Sequence, residues 1–297
     1  MQSPPLNYVT EVARTGSLRL AAQKFDVAPS VISRQIANLE RDLGIEIFER
    51  SSRGMLPTPA GKIVLNYFDE TAVRLEKMRA DIHDITGLRR GMVRLAVVEA
   101  LASDFLAQLL ADFGVVNPGI EFRITVCGTH DIVDHVASAK ADIGLAFDVL
   151  SRDDLILQGR LPQPLQLICS PTHRLASQDV VSLSALDGVR AALPIRTFGI
   201  RYLIDQAALN AGIKLSIAYE ADSLAMLKAI VRRSDLISFM PPLTFAHEVE
   251  LGVLCAVDLT DEASRHASID IVTARGLPLS SAARAFLAAT LQRIRNP

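Results

Sequence analysis

A chain of 297 residues, 49 % hydrophobic and with a mean hydropathy of +0.27, is too long for one ordinary core and implies two or three domains. Its formal net charge of −2 excludes a polybasic protein held to nucleic acid by charge alone. No apolar run reaches membrane-spanning length and the opening MQSPPLNYVTEVAR lacks a signal-like hydrophobic stretch, so no membrane partner is expected and the expected location is cytoplasmic.

Leu6, Val9, Val12 and Ala13 mark a first helix. Ser17 then caps a second, whose apolar positions are Leu18, Ala21, Ala22 and Phe25. The run Asp26-Val27-Ala28-Pro29-Ser30 breaks it; Pro29 suits a position just before or at the start of a third helix, Ser30 offers that helix a cap, and it is expected to run from about Ser30 to Leu43. On that helix Ile32, Ile36, Leu39 and Leu43 form one buried stripe, while Ser30, Ser33, Arg34 and Asn38 lie opposite. Hydroxyls, a guanidinium and an amide on an unobstructed face are what a helix in a major groove needs to read base edges or grip phosphates. Arg50-Ser51-Ser52-Arg53-Gly54 adds a compact basic turn suited to the neighbouring DNA backbone. A solvated amphipathic helix pair without DNA is the competing reading.

Thr58-Pro59 is a cap followed by proline at the first helical position. From there Val64, Phe68, Thr71, Leu75, Met78, Ile82 and Ile85 repeat at heptad spacing up to Gly87. A helix of about thirty residues is roughly 40 Å long and cannot bury so narrow a stripe alone. It needs a partner, expected to be the same helix of a second subunit.

After the hinge Leu88-Arg89-Arg90-Gly91, strands and helices alternate. Strands are expected at Met92–Val98, Glu121–Val126 and Ala141–Phe147, with helices at Ser103–Val115 and Thr129–Ser138 between them. Leu155–Leu161 and Leu165–Cys169 follow. A second set holds strands Val189–Leu193, Lys214–Tyr219, Leu236–Met240 and Val253–Asp258, and helices Gly199–Ala211, Asp222–Arg232 and Phe245–Leu251. Strand Ser268–Ala274 and helix Ser280–Arg295 close the chain. Continuous apolar strands separated by helices argue for parallel sheets covered on both faces.

The residues GSL…AA…F…SVISRQI…LE…LG…FER…R…PTPAG, across roughly the first sixty positions, resemble the N-terminal signature of the LysR-type transcriptional regulators. Ala28 and Pro29 depart from it, standing where the family usually has a hydroxyl residue and a glutamine. The resemblance implies an α/β protein with an N-terminal winged helix-turn-helix (1–60), a long linker and dimerisation helix (61–87), and an effector-binding region (88–297). That region would comprise two Rossmann-like lobes resembling a periplasmic binding protein, lobe I being 88–163 with 268–297 and lobe II 164–267. It further implies double-stranded DNA as partner, with Pro29, Ser30, Ser33 and Arg34 in the groove and Arg50 and Arg53 on phosphates. Pro29 has no side-chain donor and serves only to place the helix. A homodimer or homotetramer is implied, as is a small-molecule effector that modulates DNA binding or activation.

In open α/β sheets ligands sit beyond the carboxyl ends of the strands, where helix starts aim free N–H groups. That rule selects Glu99, Ala100, Gly128, Thr129 and Phe147 from the first lobe, and Thr197, Phe198, Asp222 and Ser223 from the second. Ordinary helix capping is the competing role for Thr129, Asp222 and Ser223. Glu99 replaces the small or hydroxyl residue usual in similar proteins. With Asp131 nearby it is expected to repel an anion, favouring a cationic or neutral polar effector unless Glu99 pairs with an arginine such as Arg201.

An enzyme or a solute-binding module without regulation is the alternative. The chain has no GxSxG, no GxGxxG after a strand and no HExxH, and Gly54 with Gly61-Lys62-Ile63 fails the phosphate-loop spacing. His130 and His135 are five apart and diverge on a helix, so neither a metal nor a cofactor is expected. Cys127, Cys169 and Cys255 are scattered and read as buried small hydrophobes rather than redox sensors.

Overall fold

The computed structural model describes residues 4–51, 54–69, 71, 91–102 and 105–295, which fall into two compact units, Met1–Arg79 and Ala80–Pro297.

The first unit opens with three mutually packed helices, α1 (Pro4–Thr15), α2 (Leu18–Phe25) and α3 (Pro29–Leu43). Ser17 caps α2 by accepting the Leu20 N–H, as its position before the apolar run implies. Asp26 ends α2 in the left-handed conformation, one that aspartate tolerates better than most residues, and turns the chain toward α3. The start of α3 differs from expectation: Ala28 is its N-cap, without a side-chain bond, and Pro29 is the first helical residue, so Ser30 does not cap. The buried stripe is also shorter than expected. Ile32 and Ile36 are buried and Leu39 half-buried, but Leu43, in the last turn, is 48 % exposed.

Strands β1 (Phe48–Ser51) and β2 (Gly54–Pro57) pair antiparallel with Ser51 opposite Gly54. Helix α4 (residues 59–69) follows, capped by Thr58, whose hydroxyl accepts the Gly61 N–H at 2.9 Å and reaches back to the Glu46 carbonyl. Gly61 touches the Ile47 backbone so closely that a Cβ would run into its carbonyl oxygen. Val64 and Phe68 pack against the core formed by Val9, Val12, Ala21, Ala22, Ile32, Ile36, Ile47 and Phe48. These first two positions of the expected subunit seam therefore seat α4 on its own unit. Leu75, Met78, Ile82, Ile85 and the hinge 88–90 lie outside the described residues.

The second unit has two sheets. The first, ordered β4-β3-β5-β13-β6, contains β3 (Gly91–Val97), β4 (Ile120–Val126), β5 (Ile143–Phe147), β6 (Leu155–Pro162) and β13 (Ser268–Ala274). The second, ordered β10-β9-β11-β7-β12-β8, contains β7 (Gln166–Cys169), β8 (Val180–Val181), β9 (Arg190–Pro194), β10 (Ser216–Ala221), β11 (Ile237–Met240) and β12 (Cys255–Leu259). Around the first sheet lie α5 (Glu99–Ala102), α6 (Phe105–Val116), α7 (Thr129–Ala137) and α12 (Ser281–Arg295). With the second go α8 (Gly199–Asn210), α9 (Leu224–Val231), α10 (Ala246–Glu250) and α11 (Glu262–Arg265). The short α5, β8 and α11 are absent from the sequence reading.

The sheets are mixed rather than parallel. β13 runs antiparallel to both its neighbours, and so does β7. These are the two strands that enter a sheet directly from the other one. A strand arriving across the lobe boundary has no crossover helix to return it to the far end, so it runs against the strands that finish at that boundary.

Two glycine substitutions of opposite sign test this packing. Gly61→Ala forces backbone apart at Ile47 and is expected to lower the melting temperature of the first unit by many degrees or prevent its folding. Gly114→Ala, in α6 with open space around the added methyl, is expected to stabilise by about 0.5–1 kcal/mol in thermal unfolding.

Candidate nucleic-acid interface and inter-lobe site

On α3 the structure leaves Pro29, Ser30 and Arg34 exposed and Ser33 half-buried, with Ser30 and Arg34 on the side opposite the buried Ile32 and Ile36. Asn38, the fifth candidate on this helix, already has a partner in the Arg41 guanidinium, which donates to its amide oxygen. Arg50 lies on β1 opposite Met55, and Arg53 lies outside the described residues.

Two carboxylates missing from the sequence reading hold this surface in shape. Glu40, near the end of α3, accepts the N–H groups of Ile47 at 2.8 Å and Phe48 at 3.2 Å, so the helix carries the start of β1 with it. Glu11 on α1 is buried and accepts from Arg14 and from Lys24 of α2, fixing the helix that crosses behind α3. Those hydrogen bonds hold its carboxyl down at about 2, against an ordinary value of 4.5. Spacing hinted only at the Glu11–Arg14 pair, three residues apart on one helix.

In the second unit the effector candidates meet at the boundary between the two sheets. Glu99, at the start of α5 beyond β3, reaches the opposite lobe. Its carboxylate accepts the Leu224 N–H at 2.8 Å, the Ala225 N–H at 3.2 Å and the Ser223 hydroxyl at 3.2 Å. Ser223 is the N-cap of α9, and its own oxygen accepts from Met226. A carboxylate at the first turn of a helix satisfies donors that have no partner within it and opposes the positive end of the helix dipole.

Nearby, Gly128 lies against the Thr197 backbone, where a Cβ would come 2.5 Å from the carbonyl oxygen, and Gly199 lies against Phe147 and Thr129. Thr129 is committed inside its own lobe. Its hydroxyl donates to the Phe147 carbonyl and accepts the Phe147 N–H, both at 3.1 Å, tying the start of α7 to the end of β5. Ala100, Phe147 and Phe198 are buried, whereas Thr197 and Asp222 are exposed.

The expected rationale for Glu99 needs correction. Arg201 is not its partner: it is buried, donates to Asp205 at 2.9 Å and to the Pro194 carbonyl at 2.9 Å, and lies 3.2 Å from Glu220. Glu99 is not an unpaired charge repelling ligands but an acceptor already engaged. None of the nine candidates lines the cavity of about 460 Å³ beside the crossover, which is bordered by residues including Leu165, Asp258 and Arg265.

Of the cysteines, Cys169 is buried and Cys127 and Cys255 are half-buried, a departure from uniform burial. Burial raises the Cys127 thiol and pushes Cys169, paired in register with Cys255 on β12, up to about 11. A redox sensor needs the opposite, an accessible thiol that ionises easily.

A helix-turn-helix with an open polar face, followed by two α/β sheets meeting at their strand ends, defines a DNA-binding regulator with a ligand-sensing module. The family models agree with both parts. Residues 5–62 match the bacterial regulatory helix-turn-helix protein of the lysR family, and residues 86–295 match the LysR substrate binding domain. The chain belongs to the LysR family of transcriptional regulators; it is a regulator and not an enzyme.

Among its relatives, the HTH-type transcriptional regulator YbhD of Escherichia coli (strain K12) is 26 % identical over 277 residues, 93 % of this chain and 87 % of YbhD. Full-length CbnR, solved with its target DNA, superposes with a TM-score of 0.68 at 18 % identity, over 99 % of this chain and 100 % of that one. The effector-binding domain of QuiR, solved with shikimate, gives 0.62 at 19 % identity, over 70 % of this chain and 98 % of that one.

Glu11 makes the first unit acid-sensitive in a defined direction. Its folded-state carboxyl lies below the unfolded value, so its contribution is complete above pH 4.5 and is lost as pH falls toward 2. Glu11→Gln is expected to flatten that limb of the stability profile, measured by thermal unfolding across the same range.

Proposed function

We propose that the exposed edge of α3 enters the major groove, with Ser30, Ser33 and Arg34 contacting bases and phosphates, Pro29 setting the entry angle, and Arg50 and Arg53 on the adjacent backbone. The observation that carries this reading is the division of α3 itself: Ile32 and Ile36 are buried while Ser30 and Arg34 are exposed, so the polar face is unobstructed within its unit. Asn38 is a weaker member of the set because Arg41 engages its amide. The domain division 1–60, 61–87 and 88–297 follows, with an effector bound where Glu99, Gly128, Thr129, Phe147, Thr197, Phe198 and Ser223 converge. CbnR holding DNA and QuiR holding shikimate support this assignment of roles.

The protein acts as a homodimer or a homotetramer in the cytoplasm. Two edge strands support self-association: β4 exposes Ile124 and Val126, and β10 exposes Ile217 and Tyr219. Uncovered apolar edges of this kind are normally paired or shielded, and a second copy supplies the cover. Among the described residues no helix is long and apolar enough to cross a membrane.

Arg34→Ala is expected to weaken binding to the operator by about 1–3 kcal/mol, roughly five- to 150-fold, in gel shifts with DNA from upstream of its gene or the divergent neighbour. Unchanged binding would remove α3 from the interface. Leu75→Glu is expected to reduce the mass seen by light scattering at low micromolar protein to a smaller oligomer, and an unaltered mass would discard the helical seam.

A further inference from the structure

The N–H groups at the start of α9 look across the lobe boundary, and a carboxylate is already there. Glu99 takes Leu224 N–H at 2.8 Å, Ala225 N–H at 3.2 Å and Ser223 Oγ–H at 3.2 Å, two backbone amides and a hydroxyl converging on one anion. This is the donor set with which a helix start grips the acidic head of a ligand. The residue filling it belongs to the opposite lobe, carried by α5, which also packs on the turn at Pro242–Thr244 of the second lobe. The carboxylate therefore satisfies α9 and bridges the two lobes at once.

Arg201 offers an anion no alternative at this boundary. Arg201 is buried, and Asp205, Glu220 and the Pro194 carbonyl occupy its guanidinium. Asp222, exposed immediately before Ser223, adds negative charge at the same helix start.

We propose that Glu99 is a resident carboxylate ligand of α9 that sets the charge class of the effector: the anion position of the inter-lobe site is filled by the protein itself, and the site accepts neutral or cationic polar molecules. This rests on the reading that the effector binds between the lobes. An acidic molecule has to expel Glu99 from three hydrogen bonds and leave its charge at the boundary. A neutral or cationic one binds with those bonds intact and gains from the carboxylate nearby. Removing the carboxylate is then a gain-of-function change, since it uncovers an anion receptor that the wild-type chain keeps occupied.

The test uses the full-length protein with glycolate and sulfate as probes, titrated by calorimetry and by thermal shift against chloride at matched ionic strength. The wild type is expected to show no saturable response. Glu99→Ser is expected to bind both anions saturably, with apparent affinity at least about tenfold above any wild-type value. Reversing Asp222 as well, in Glu99→Ser with Asp222→Lys, is expected to strengthen the response further.

If Glu99→Ser does not fold, Glu99→Gln serves in its place. It keeps an oxygen for the Leu224 N–H but removes the charge, and a smaller gain in anion response is expected. A folded variant that responds to anions no better than the wild type overturns the proposal, as does a wild type that already binds glycolate or sulfate tightly. Both outcomes are read without DNA or a natural effector, so they stand apart from failure of the gel shift or of the effector assignment.

Discussion

Backbone donors at element ends must find an acceptor, and in this chain carboxylates on one element repeatedly supply it to another. Glu40 on α3 takes two amides at the start of β1, and Glu99 on α5 takes two amides at the start of α9. Each bond set joins parts of the chain that no continuous helix or strand connects. The angle between α3 and the hairpin behind it depends on one of these junctions, and the relation of the two lobes on another. A charged acceptor serves well here because its hydrogen bonds to buried or half-buried N–H groups are worth more than neutral ones, about 1.5–3 kcal/mol each.

Such junctions are the part of the molecule that a linear reading misses. Periodicity anticipated the helices that the structure sets at Leu18–Phe25 and Pro29–Leu43, and a serine or threonine before an apolar run located the caps at Ser17 and Thr58, though not at Ser30. Those signals are local and leave a trace at fixed spacing. Glu40 to Ile47 and Glu99 to Leu224 leave none, because the partner is a backbone N–H common to almost every residue. The inter-lobe position of Glu99 followed from its place after a strand, while its partner did not. The arginine that looked available to it, Arg201, is instead held within its own lobe by Asp205 and Glu220. Leu43 shows the complementary failure, since helical spacing continued the stripe past the point where the unit's own core ends.

Strand direction was hidden for a related reason. A strand buried on both faces reads as an apolar run whichever way it points, so Gln166–Cys169 and Ser268–Ala274 looked like further members of a parallel set. Their direction is imposed by the route of the chain. β6 ends at the lobe boundary, and the chain crosses there and begins β7 at the same boundary, so β7 runs away from it; β13 repeats this on the return. The consequence is functional, because the two crossings and the bonds made by Glu99 all lie at the level where the strands end and the helices begin. Relative movement of the lobes has to pivot about the crossings, and it has to alter or break the Glu99 contacts as it does so.

This constrains how any bound molecule could signal. A ligand shifts the balance between two lobe arrangements only by binding one of them better, and couplings of this sort are commonly about 1–3 kcal/mol. The charged hydrogen bonds from Glu99 to α9 are each of comparable size, so they are large enough to decide which arrangement prevails without a ligand. Gly128 against Thr197 and Gly199 against Phe147 add close backbone contacts that leave no room for a side chain in the same arrangement. The described lobes are thus held together by the protein's own atoms, and an effector acts by reinforcing that hold or by competing with it. Competition costs an acidic molecule the existing bonds, whereas a neutral or cationic one can add to them, and that asymmetry makes the charge at position 99 the variable that decides which way the lobes respond.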